Sequence, residues 1–179
     1  MIPRALARPG GLNLHLKNVE IEWQGYAGMT LKQVTHVLSF LLSSRNTPHY
    51  LLVHCGANDI GKLSTRDIMA EFDKLLQFTS QQMPKTKMIW SQMLPRKVWR
   101  YSNNNKAMEA AHRRVNSYIA NRTLKSGGYY MKHPDLHLHN APFFASDWVH
   151  LTEMGSDLFL NYVRATLIFV IHLGCHVNP

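Results

Sequence analysis

A chain of 179 residues, 45% hydrophobic and 17% charged, has the size and composition of one globular domain, which excludes a disordered or low-complexity segment. The formal charge of +9 suits polyanionic partners such as nucleic acid or an anionic membrane surface, but the Lys and Arg residues are scattered and read first as a solvated basic surface. Two cysteines, Cys55 and Cys175, are too few for a disulfide framework and point to a reduced intracellular setting, cytoplasmic or nuclear.

The N-terminus lacks the apolar core of a signal peptide, although Arg4 and Arg8 precede the first acid, Glu20. Arg4–Arg8 reads as a helical turn stopped by Pro9-Gly10-Gly11, and residues 1–17 as a remnant N-terminal segment. In Asn18–Trp23, Val19, Ile21 and Trp23 alternate with Glu20 and Glu22, which predicts a strand. Gln24–Gly28 is a turn, and Thr30 caps a helix whose apolar face carries Val34, Val37, Leu38, Leu41 and Leu42. His49–Cys55 is an apolar run of strand length, expected to be buried on both faces.

Ser64 or Thr65 caps the next helix, with Ile68, Phe72, Leu75, Leu76 and Thr79 on one stripe. Thr86–Trp90 is a strand, Asn105–Lys125 a helix stopped by Gly127-Gly128, and Gly128–Lys132 a short strand. His133–Val149 is an irregular loop of the length functional loops have, and Thr152 caps the last helix. The apolar run Thr166–Leu173 is too short to span a bilayer, and Asn161 and Arg164 interrupt its extension, so no transmembrane segment is expected. Alternating strands and helices predict an α/β fold with a parallel sheet, whose ligands sit beyond the carboxyl ends of the strands. Gly28, Asn58, Ser91 and Asp147-Trp148-Val149-His150 all follow strands or lie in the loops beyond them.

An Asp three residues before a His can hold a general base in one tautomer. A Gly-x-Asn-Asp turn, here Gly56-Ala57-Asn58-Asp59, offers an amide donor at a strand end. With these stand Arg8-Pro9-Gly10-Gly11, Trp23 with Gly25 and Gly28-Met29, Val53-His54-Cys55-Gly56, and Trp90-Ser91-Gln92-Met93-Leu94-Pro95. In this order the blocks resemble the SGNH (GDSL-type) ester hydrolases, and most closely the SGNH domains of vertebrate retroelement-derived reading frames. The resemblance implies a three-layer α/β/α flavodoxin-like sheet over residues 18–164, followed by a tail at 165–179. It implies Gly28 and Asn58 as oxyanion donors, Asp147 and His150 as orienter and base, an acyl-ester small molecule as substrate, and no cofactor or metal.

The departure from the family lies at the start. Only Met1–Ala7 precede Arg8, where the family places its first strand, first helix and nucleophilic serine. The resemblance therefore implies that this strand and its serine block are missing. The sheet then closes up, borrows a strand from another chain, or belongs to a truncated product. Ser91 is a weak substitute nucleophile. Cys55 reads as a core residue, Ser146 as a turn residue and Asp59 as a turn stabiliser. His133, His137 and His139, with Asp135 between, have the residue types of a zinc site, but the spacing suits one poorly and a structural or exposed role is expected. The resulting expectation is an esterase-like domain with little or no activity. The alternative is a nucleic-acid-binding or interaction module of a mobile-element-derived protein. Arg96, Lys97, Arg100, Lys106, Arg113 and Arg114, interleaved with Trp99 and Tyr101, form its densest basic stretch.

Overall fold

The computed structural model describes residues 11–138 and 141–175. Two units emerge among the described residues: residues 28–132 form one, and residues 11–27 with 133–138 and 141–175 form the other. The reading of Arg4–Arg8 as a helical turn lies outside the described residues.

The unit 28–132 alternates helix and strand: α1 (Leu31–Leu42), β1 (Tyr50–Val53), α2 (Thr65–Gln82), β2 (Lys87–Ser91), α3 (Asn105–Lys125) and β3 (Tyr129–Met131). The strands form a parallel sheet in the order β1-β2-β3, with Val53 opposite Trp90 and Trp90 opposite Tyr130. This is the α/β class with a parallel sheet that the sequence predicts. Each helix starts where a side chain takes up orphaned amides. Gln33 Oε1 accepts from the Thr30 backbone N–H at 2.9 Å, Ser64 Oγ from Asp67 N–H at 3.1 Å, and Asn104 Oδ1 from Ala107 N–H at 3.0 Å.

The core of this unit joins Ile68, Phe72 and Leu75 of α2, Val115 and Ile119 of α3, and Trp90 of β2. Phe72 and Trp90 meet edge to face, with centroids 4.9 Å apart, and neither is exposed. Burying a side chain such as Phe72 is worth about 1.5–3 kcal/mol. β1 departs from expectation. Three of its four residues are only partly buried, because it is an outer strand of the sheet among the described residues and not an interior one. No described residue before β1 is in a strand.

That also corrects the strand predicted at Asn18–Trp23, in the other unit. Val19, Ile21 and Trp23 are partly buried and Glu20 and Glu22 exposed, so the alternation survives, but no ladder forms. The segment is held instead by Ile21 N–H on Asn13 Oδ1 at 3.0 Å and by the Trp23 indole on the Leu12 carbonyl at 2.7 Å. The same unit holds α4 (Glu153–Cys175), which continues unbroken past Arg164. Its Ser156, Phe159, Leu160, Val163, Leu167 and Val170 are buried on one stripe, as a core helix requires. Because Asn161 and Arg164 do not interrupt it, Glu153–Leu173 has the length and mean hydropathy (21 residues, 1.3) to cross a bilayer by composition alone, with 33% of that window buried.

Candidate active site

Asp147 and His150 lie in a loop whose geometry is fixed from both ends. Phe144 and Leu151, both buried, form an antiparallel bridge at its base. Ala145 N–H donates to the His150 carbonyl at 2.8 Å, and Trp148 N–H to the Ala145 carbonyl at 2.9 Å. Between these bonds Asp147 Oδ1 accepts from Val149 N–H at 2.9 Å and His150 N–H at 3.0 Å, while Oδ2 lies 2.6 Å from His150 Nδ1. The loop closes this tightly only with Trp148 at φ +55°, a left-handed backbone that costs a non-glycine residue about 1 kcal/mol or more.

The bond from the His150 ring, followed by the two backbone amides, holds the Asp147 carboxyl well below the usual carboxylate range. Asp147 is therefore an acceptor at neutral pH, which places the proton of a neutral imidazole on Nδ1 and leaves the Nε2 lone pair as the base. The His150 side chain is 78% exposed, and Nε2 has no partner among the described residues of its unit. Thr152 then caps α4, accepting from Gly155 N–H at 3.1 Å.

Gly28 and Asn58 belong to the sheet-bearing unit, and the structure draws them together through Met29. Asn58 Nδ2 donates to the Met29 carbonyl at 3.0 Å, and Cys55 Sγ reaches the same oxygen at 3.5 Å. Gly28 is exposed at φ +68°, with open space where a Cβ would stand, and its N–H has no partner among the described residues. Arg96 Nη1 and Nη2 approach Asn58 Oδ1 at 3.4 and 3.3 Å, which fixes which end of the amide is the nitrogen. One Asn58 N–H is spent on Met29, and the second is the donor available to a ligand.

Asp59 is fully enclosed (1% exposed), and its Oδ2 accepts from Leu31 N–H at the start of α1, at 3.0 Å. It thus ties the turn after β1 to the helix that follows Gly28. Burial raises its pKa, and the Leu31 amide and the Lys62 charge pull the other way. Gly56, at φ +102°, completes this turn; a Cβ there would meet Met93 Sδ at 3.0 Å.

Neither alternative nucleophile in this unit is poised to attack. Ser91 is fully buried at the end of β2, with Oγ 2.8 Å from His54 Nδ1. Crowding by protein, and secondarily the Arg96 guanidinium, lowers the His54 pKa to about 4, so the ring is neutral at pH 7. The residue as a whole is exposed, and its Nδ1 stays tied to Ser91 Oγ. Burial and the Asp59 charge push the partly buried Cys55 thiol up to about 12, leaving almost no thiolate at neutral pH. Ser146 is exposed beside Asp147 in the other unit. The sequence reading missed Arg96 and His54 as partners of the site; the only signal for His54 is a polar residue at the carboxyl end of an apolar strand.

Among the described residues no three metal-binding side chains come together. His133 is buried and stacks on Phe159 at 4.9 Å, His137 is exposed, Asp135 accepts from Tyr162, and His139 lies outside the described residues. Trp99, expected on a basic stacking face, is instead buried against His112, with ring centroids 5.8 Å apart.

Neither a protein-family model nor a curated protein matches the sequence. Solved structures do match. A member of the lipolytic G-D-S-L family from Veillonella parvula superposes with a TM-score of 0.70 at 15% identity, over 86% of this chain and 83% of that one. A GDSL-like lipase from Bacteroides thetaiotaomicron gives 0.67 at 18%, over 82% and 75%. A carbohydrate esterase family 3 protein from Talaromyces cellulolyticus gives 0.64 at 15%, over 88% and 78%. At such identities the likeness is one of fold: this chain folds as GDSL-like lipases and esterases do.

Proposed function

We propose that this chain is an SGNH-type esterase-like domain that keeps the acid–base and oxyanion parts of ester hydrolysis without an aligned serine. Asp147 orients His150, whose Nε2 is the base. Gly28 N–H and the second N–H of Asn58 are the donors for a tetrahedral oxyanion, a role worth about 3 kcal/mol per donor where it has been measured by mutation. The observation that carries this reading is the Asp147–His150 pair, held at 2.6 Å through Nδ1 with Nε2 left outward. The fold shared with lipases and carbohydrate esterases supports it, and fits an acyl-ester small molecule as the substrate.

Turnover on such esters is expected to be little or none. In the sheet-bearing unit the candidate hydroxyl and thiol are a buried Ser91 bonded to His54 and a protonated Cys55. A His base acting on water alone forgoes the covalent step, and loss of a triad nucleophile reduces rates by orders of magnitude. The test is hydrolysis of p-nitrophenyl acetate by the intact chain and by His150→Ala. Near-background rates in both support the absence of a working nucleophile; robust turnover abolished by His150→Ala would reveal one and refute the proposal.

A further inference from the structure

A groove of about 470 Å³ runs between α2 and α3, lined by Thr65, Arg66, Met69, Asp73, Arg114 and Tyr118. Its charges are unevenly matched. Asp73 is satisfied from α3, by the Tyr118 hydroxyl at 2.6 Å and Arg122 Nε at 2.8 Å. The other acids of the two helices are also engaged: Asp67 by the Ser64 hydroxyl at 2.6 Å, Glu71 by Lys74 at 2.7 Å, and Glu109 by Arg113 at 3.9 Å. Arg66 and Arg114 are exposed and form no ion pair among the described residues. Two guanidiniums therefore face one concavity whose only carboxylate is already neutralised.

A guanidinium presents paired donors that match phosphate oxygens. Arg66 stands in the first turn of α2, where the helix dipole adds to the attraction for an anion. The α2 wall from Thr65 to Asp73 is about 12 Å long at 1.5 Å per residue. The partly buried Met69 and Tyr118 give the groove an apolar floor for sugar or base. Unpaired bases can reach that floor, whereas the bases of a duplex are already stacked on one another. We propose that the α2–α3 groove binds the phosphodiester backbone of single-stranded nucleic acid, with Arg66 and Arg114 as its phosphate contacts. This site does not depend on the ester-hydrolase reading.

The test is fluorescence anisotropy with a labelled single-stranded RNA of about 12 nucleotides, between ~50 and ~200 mM salt. It compares the intact protein with R66Q/R114Q and with K106Q/R113Q, which removes the same charge from exposed positions on α3 outside the groove; circular dichroism checks that each variant folds. Two phosphate contacts give a slope of log affinity against log salt of about −1.4. R66Q/R114Q should lose that contribution and weaken binding by about tenfold or more at the lower salt, whereas K106Q/R113Q should stay within about threefold. Equal weakening in both variants would show a diffuse field and overturn the proposal, as would a lack of saturable binding by the intact protein. Displacement of the RNA by inorganic phosphate at constant ionic strength would assign the groove to a free phosphate and overturn the polymer assignment; failure to displace it supports the polymer.

Discussion

Asp59 offers the sharpest test of how the turn after β1 is held, because two substitutions there should act in opposite directions. Asp59→Ala leaves the Leu31 N–H, in a residue only 1% exposed, without its acceptor. A buried donor stripped of its partner costs about 1–3 kcal/mol. For a chain of this size 1 kcal/mol is roughly 2–4 °C in Tm, so Asp59→Ala should melt roughly 2–12 °C lower. Asp59→Asn keeps an oxygen facing Leu31 and removes a charge that burial disfavours. The sign follows from linkage: the folded pKa is raised, so the ionised carboxylate opposes folding at neutral pH and that penalty is relieved as the pH falls through the folded pKa. Asp59→Asn should therefore equal or exceed the wild type in Tm at pH 7 and lose this part of its pH dependence. The assay is thermal unfolding by circular dichroism at pH 7 and pH 4. An Asp59→Ala variant as stable as wild type, or an Asp59→Asn variant as damaged as Asp59→Ala, would refute the reasoning.

Three further outcomes follow from the same geometry. Cys55 should react slowly with iodoacetamide at pH 8 and faster in Asp59→Asn, because burial and then the Asp59 charge raise its thiol to about 12; an equal rate in both proteins would remove the Asp59 contribution. Phe72→Ala should cost about 3–5 kcal/mol in urea denaturation, since it deletes a ring with no exposed surface packed edge to face on Trp90; a loss under about 1 kcal/mol would mean that the core there is poorly formed. The Asp147 pKa is lowered by folding, so its tether on the Asp147–His150 loop should persist above the ordinary carboxylate range and be lost as the pH falls below it. Trp148 fluorescence should therefore change below about pH 4, and change already at pH 7 in Asp147→Asn. An Asp147→Asn variant with the wild-type spectrum would count against the tether.

Elements set by local signals were legible in the sequence. Asn105–Lys125 is a helix end to end because Asn104 caps it and Gly127, at φ +76°, lets the chain turn away after it. The α2 stripe of Ile68, Phe72, Leu75 and Thr79 is buried as its period requires. Elements that need a distant partner were less legible. Val19, Ile21 and Trp23 keep the alternation of a strand, yet a strand exists only where a neighbour completes the ladder. The apolar run through β1 could not reveal that it would be an outer strand. At the site, the three-residue spacing of Asp147 and His150 was readable because one turn of loop closes it. The pairing of Ser91 with His54, 37 residues away, was not, nor was the approach of Arg96 to Asn58. Trp99 shows the converse: an aromatic among basic residues read as a stacking face, but its ring is worth more in the core.

The esterase-like reading meets its most direct test in steady-state hydrolysis of p-nitrophenyl acetate by the intact chain beside His150→Ala. The expected result is the same slow, near-background rate for both. Saturable turnover in the intact chain that disappears with His150→Ala would contradict it, because a hydroxyl or thiol would then have to be acting with that imidazole.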